Sequence, residues 1–189
     1  MNYIFDIGNV LVTYEPRKFL EERFSDKTAV ELIMQNVYLS DEWQIADEGK
    51  LNRAEMTKIF CDRLPQYKDE VVNLMKNVTD MFIPIETVEL LPKIKSAGHT
   101  LYYLSNIAFD IRDHLVAKYD FLNLFEGGVF SCDERIIKPN PEIYRLLLKK
   151  YNLNASDCIF FDDIERNIVA AEKEGIKSVL FTTADCVGF

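Results

Sequence analysis

A parallel α/β sheet flanked by helices, interrupted after its first strand by a helical insertion, is the fold class that the sequence predicts. Three observations predict it. Five short runs of apolar, β-branched and aromatic residues each end in a small or acidic polar residue. The later runs alternate with helical stretches, and strand–helix–strand alternation builds a parallel sheet with right-handed crossovers. The interval from Asp6 to Leu101 holds helical spacing but no strand pattern.

The strand runs, in order, are Tyr3 to Asp6, Leu101 to Ser105, Val129 to Ser131, Ile159 to Asp162 and Val179 to Thr182. Their unbroken apolar character predicts strands buried on both faces. Helices are expected from Glu86 to Ala97, stopped by Gly98, from Glu142 to Tyr151, led by Pro141, and from Asn167 to Glu174, stopped by Gly175. Within the insertion, Val30, Ile33, Met34, Val37 and Tyr38 fall at helical spacing, as do Tyr67, Val71, Leu74, Met75 and Val78. An Asn52-x-x-Glu55 pattern before Met56, Ile59 and Phe60 predicts a capped helix start. The expected division is therefore a sheet domain of residues 1–13 and 83–189 and a helical bundle of residues 14–82, packed on the sheet rather than tethered to it.

Composition limits the function classes. With 189 residues, 48% hydrophobic and 28% charged, the chain has enough apolar material for one sizeable core. Its 22 Lys and Arg stand against 31 Asp and Glu, a net charge of −9, which repels a nucleic-acid backbone. Cys61, Cys132, Cys158 and Cys186 lie too far apart for a zinc-ligand or disulfide pattern and read as packed thiols. No basic leader and no apolar stretch of membrane-spanning length is seen, so the expected setting is the cytoplasm, with no membrane partner. His99 and His114 lack any partner pattern for Ser/His catalysis.

Ligands of open parallel sheets bind beyond the carboxyl ends of the strands, where this chain carries Asp6, Ser105, Asn106, Asp162 and Asp163. Clustered carboxylates repel one another unless a cation lies among them, and hard oxygen ligands favour Mg²⁺. Lys138, just before a helix, can offset the charge of a nucleophilic carboxylate and a substrate phosphate.

These residues, in this order, resemble the four motifs of the haloacid dehalogenase-like (HAD) hydrolases. Phe5-Asp6-Ile7-Gly8-Asn9-Val10 is similar to the first, Leu104-Ser105-Asn106 to the second, Lys138-Pro139 to the third, and Phe161-Asp162-Asp163 with Asn167 to the fourth. The insertion after the first motif resembles the helical cap of one subclass. The resemblance implies Asp6 as a nucleophile that forms an aspartyl-phosphate, and Asp163 as a direct Mg²⁺ ligand. It further implies Asp162 as an additional or supporting ligand and the Gly8 carbonyl as another. Ser105 and Asn106 would hold phosphoryl oxygens, with Lys138 as counter-charge.

One position departs from the family pattern. Gly8 stands where most family phosphatases carry a second Asp that protonates the leaving oxygen. This Asp-x-Gly-Asn-Val form, with Phe160-Phe161-Asp162-Asp163, is most similar to bacterial α-D-glucose-1-phosphate phosphatases, whose anomeric leaving group needs less protonation. Trp43, with Gln44, Asp47 and Glu48 before Gly49, has two readings, packing in the insertion or contact with substrate. The expected function is a Mg²⁺-dependent phosphatase of a small phosphorylated metabolite such as a sugar phosphate, working as a monomer or weak homodimer. The alternatives are a catalytically silent binding protein, which Gly8 permits, and a haloacid dehalogenase, which the Asp162-Asp163 pair disfavours.

Overall fold

Residues 1–189 are described by a computed structural model. Asn2–Phe5 forms β1, the central strand of an all-parallel sheet completed by β2 (Thr100–Ser105), β3 (Gly127–Phe130), β4 (Cys158–Asp162) and β5 (Lys177–Leu180). Their spatial order is β3-β2-β1-β4-β5. The chain builds outward from β1 on one side and then crosses to β4 on the other. The crevice at which a parallel sheet binds ligands therefore opens where β1 and β4 end.

Alternation along the strands divides the interior in two. Ile4, Tyr102, Leu104 and Phe160 face Ile143, Tyr144, Leu147, Ile168 and Ala171 on the helices that follow β3 and β4. On the opposite face Tyr3, Phe5 and Phe161 stack, with 5.0 Å between the Phe5 and Phe161 ring centroids, and join a cluster that extends into the insertion.

The insertion consists of α1 (Pro16–Glu21), α2 (Lys27–Ile33), α3 (Asp41–Asp47), α4 (Arg53–Arg63) and α5 (Lys68–Asn77). A π turn over Met34–Tyr38 prolongs α2. The capping box expected at α4 is present: Asn52 Oδ1 accepts from Glu55 N–H at 3.0 Å, and Glu55 Oε2 accepts from Asn52 N–H at 2.9 Å. Val30, Ile33, Phe60, Val71 and Leu74 belong to the same apolar cluster as Phe5, Leu101 and Phe161. Insertion and sheet thus share one core, and movement of one on the other would expose apolar surface.

After the insertion come α6 (Leu91–Ser96), α7 (Phe109–Lys118), α8 (Ser131–Glu134), α9 (Pro141–Lys150) and α10 (Glu165–Lys173). Three expectations need correction. The single helix expected from Glu86 to Ala97 is a 3₁₀ stretch, Glu86–Leu90, followed by α6. Pro92 is the reason, because proline lacks an N–H and fits only the first turn of an α-helix. The third strand lies at Gly127–Phe130, and Ser131 already starts α8. The last strand is Lys177–Leu180 rather than Val179 to Thr182, and it is not fully buried: it pairs only with β4, at the sheet edge. No helix is long and apolar enough to cross a membrane.

Candidate active site

Phe5 of β1 pairs with Tyr103 of β2 and Phe161 of β4, so one further step along each strand sets Asp6 beside Asp162. The main-chain N–H of Asp6 donates to the Phe161 carbonyl at 2.9 Å, which holds the turn out of β1 against the end of β4. Lys138, on the segment leading into α9, reaches between them. Its Nζ donates to Asp162 Oδ2 at 2.7 Å and to the Leu104 carbonyl at 2.8 Å, and lies 2.9 Å from Asp6 Oδ1. The Lys138 side chain is 1% exposed. A cation buried so deeply persists only where ion pairs and hydrogen bonds replace its hydration.

Asp162 is fully buried with both oxygens occupied. Oδ1 accepts from the N–H of Ile164 and both oxygens accept from Asn167 Nδ2, in addition to the Lys138 contact. Asp163 has a single side-chain donor, Asn9 Nδ2, at 2.9 Å from its Oδ2. Oxygens of Asp6, Asp162 and Asp163 all lie within 4.8 Å of one another. Burial pushes the Asp6 carboxyl up to about 7 against the pull of Lys138, and the neighbouring Asp162 pushes in the same direction as burial. Burial also raises Asp163, opposed by its bond from Asn9. Three carboxylates around one ammonium leave negative charge uncompensated, and hard oxygen donors around such a deficit suit Mg²⁺.

Asn9 is the hinge of the turn after β1. It adopts a left-handed conformation, φ 54°, and its Oδ1 accepts from Tyr14 N–H at 2.8 Å while its amide holds Asp163. Asparagine tolerates this conformation better than most residues. Gly8 has no such requirement: its φ is not in the left-handed region, and the nearest atom to an added Cβ would be Tyr14 Cβ at 3.7 Å.

A cleft of about 220 Å³ opens over these residues. Its floor includes Asp6, Gly8, Ser105, Asn106, Lys138 and Asp163, and the insertion roofs it with Tyr14, Trp43, Gln44 and Asp47. Both readings of Trp43 find a counterpart. The side chain is buried, its ring centroid lies 4.7 Å from that of Tyr38, Arg53 lies over its face, and one side borders the cleft. Ser105 is buried at the cleft wall. The Asn106 side chain clamps the main chain of Lys138, accepting from its N–H at 2.7 Å and donating to its carbonyl at 2.9 Å, which leaves one amide hydrogen for a ligand. His99 and His114 lie outside the cleft, and all four cysteines are free.

Sequence reasoning placed Asn9 and Asn167 within two of the motifs without assigning them a task, and it missed Arg166 and Phe82. The structure sets Asn9 on Asp163 and Asn167 on both oxygens of Asp162, while the Arg166 and Phe82 walls carry no chemical signal of their own.

The model of the family described as haloacid dehalogenase-like hydrolase matches residues 2–175. The chain belongs to that family. Family membership makes it a hydrolase. Among its relatives, a sesquiterpene phosphatase from Aspergillus oryzae is 26% identical over 181 residues, 95% of this chain and 88% of the relative. An (S)-2-haloacid dehalogenase from Burkholderia cepacia is 26% identical over 140 residues, covering 74% of this chain but 58% of the dehalogenase. In fold, the chain is similar to a HAD family enzyme from Bacteroides thetaiotaomicron solved with magnesium and inorganic phosphate, with a TM-score of 0.75, 19% identity and coverage of 96% and 93%.

Proposed function

We propose that this protein is a Mg²⁺-dependent phosphomonoesterase that hydrolyses a small phosphorylated metabolite, with sugar phosphates the leading class, through an aspartyl-phosphate on Asp6. The observation that carries the reading is the surplus of carboxylate over cation at the cleft floor: Asp6, Asp162 and Asp163 around the single ammonium of Lys138.

Asp6 and Asp163, with the Gly8 carbonyl, would hold the metal, while Asp162, saturated by Lys138, Asn167 and the Ile164 N–H, orients Lys138. Bound Mg²⁺ would supply charge neutralisation for a phosphoryl group brought against Asp6. Lys138 steers the Asp6 carboxylate by its 2.9 Å contact and offsets the charge of the incoming phosphate. Ser105 and the remaining amide hydrogen of Asn106 would donate to phosphoryl oxygens. An Asp6 oxygen then attacks phosphorus in line, the bond to the leaving oxygen breaks, and water hydrolyses the acyl-phosphate. The roof above, with Trp43 and Tyr14 as flat apolar surfaces beside Gln44 and Asp47, suits a leaving group of mixed character such as a sugar. The phosphatase relative supports the reaction class, and the dehalogenase relative makes carbon–halogen hydrolysis the rival.

A panel of phosphorylated sugars, nucleotides and small acids, assayed with Mg²⁺ and after chelation, tests the reading. Mg²⁺-dependent phosphate release is expected, and Asp6→Asn should abolish it while retaining the fold, because an amide cannot form the acyl-phosphate. Chelator-resistant turnover of a haloacid, with no phosphate released from any substrate, would overturn it.

A further inference from the structure

We infer that Asp47, on the roof of the cleft, is the proton donor and acceptor that takes over the task left open by Gly8. The inference rests on the phosphatase reading and names the residue that would complete its chemistry.

Three features of the structure point to Asp47. The first is elimination among the titratable side chains that border the cleft, namely Asp6, Tyr14, Asp47, Lys138, Asp163 and Arg166. Asp6 is the nucleophile, Lys138 is an ammonium held by two carboxylates, and Asp163 faces the metal position. Burial raises Tyr14 well above its ordinary value, and a guanidinium keeps its proton. Only Asp47 remains able to give and take a proton.

The second is placement. Asp47 is the last residue of α3, and its carbonyl accepts from Ser131 Oγ at 2.5 Å. The same hydroxyl accepts from the Ile107 N–H at 2.9 Å, just beyond β2 and the candidate phosphate-binding pair Ser105 and Asn106. Two residues on, Gly49 has φ 68° and lies so close to Cys132 that an added Cβ would sit 2.3 Å from its carbonyl oxygen. The main chain on both sides of the Asp47 side chain is therefore pinned to α8 of the sheet domain. The third is that its carboxyl forms no ion pair; Arg53, the nearest cation on α4, is taken by Asp110 of α7 in a two-pronged contact of 2.7 and 3.1 Å. The charges of Asp6 and Asp110 disfavour ionisation, while Arg53 and Lys138 favour it. Burial is the largest influence and pushes the carboxyl up to about 7, where both forms are populated near neutral pH.

In the first step, Asp6 attacks phosphorus, the bond from phosphorus to the leaving oxygen breaks, and the leaving oxygen takes the Asp47 proton. Asp47, now a carboxylate, accepts a proton from the water that attacks the acyl-phosphate. The bond from phosphorus to Asp6 breaks, inorganic phosphate leaves, and both carboxyls return to their starting forms.

The test compares wild type, Asp47→Asn and Asp47→Asn/Gly8→Asp on alkyl, anomeric and aryl phosphates of graded leaving-group acidity, with Mg²⁺-dependent vanadate binding as a check of the intact site. Asp47→Asn should lower turnover of alkyl phosphates by about a hundredfold or more and spare acidic aryl phosphates, steepening the dependence on leaving-group acidity. The double variant should recover alkyl turnover, since Gly8 has room for a side chain. An equal fall across the series with vanadate binding retained, or no fall at all, would overturn the inference while leaving the phosphatase reading intact. Absence of phosphate release from wild type on every substrate would overturn both.

Discussion

Lys138 concentrates the energetics of the site in one side chain. It satisfies Asp6, Asp162 and the Leu104 carbonyl at once, at 1% exposure. Removing one partner of a buried ion pair leaves the other charges uncompensated, which costs about 3–5 kcal/mol. Lys138→Met, similar in length but uncharged, should therefore lower the thermal midpoint markedly and weaken vanadate or phosphate binding in the folded fraction. Unchanged stability with unchanged anion affinity would return Lys138 to a spectator role. Asp162 shows how two adjacent, chemically identical residues divide labour through their surroundings: four donor contacts tie it to the scaffold, while Asp163 keeps an open side. Neither partner set is visible in the dipeptide Asp162-Asp163 itself.

Among the elements, α3 and the turn after it decide where the roof meets the floor. Trp43 anchors α3 on Tyr38, and Ser131 ties its last carbonyl to the loop beyond β2. Gly49 completes the seam because both its left-handed φ and its approach to the Cys132 carbonyl exclude a Cβ. Gly49→Ala should then force the turn away from α8, destabilising the protein by about 1–3 kcal/mol. It should also lower kcat on poorly activated substrates, as the side chain of Asp47 shifts with the turn. Denaturant midpoints and kcat for one alkyl and one aryl phosphate check this; a variant equal to wild type in both would mean that the seam is slack. The Asn52-x-x-Glu55 box was legible in sequence because a helix cap is a local contract between a side chain and a backbone three residues away. The seam at Gly49 was not, because Cys132 is distant along the chain.

For the molecule as a whole, the acidic floor couples metal to stability. A cation bound only by the folded form stabilises it by mass action, by about 2.7 kcal/mol at a hundred times the dissociation constant. Mg²⁺ should therefore raise the melting temperature of wild type in a concentration-dependent way, and Asp163→Asn should blunt the rise. An identical rise in both would place the ion elsewhere. The shared core of insertion and sheet means that unfolding should be a single transition rather than two. What the sequence by itself determined was the α/β class, the five strands, the helical nature of the insertion and the candidates Asp6, Ser105, Asn106, Lys138, Asp162 and Asp163, because strand runs, helical spacing and strand-end carboxylates are local patterns. Only the tertiary structure decided that β5 lies at an open edge, that Asn106 clamps Lys138, and that Asp47 borders the cleft from the roof. Each of these depends on which distant segment packs alongside, and packing across the crossover connections of a parallel sheet is a property of the folded chain that no local window contains.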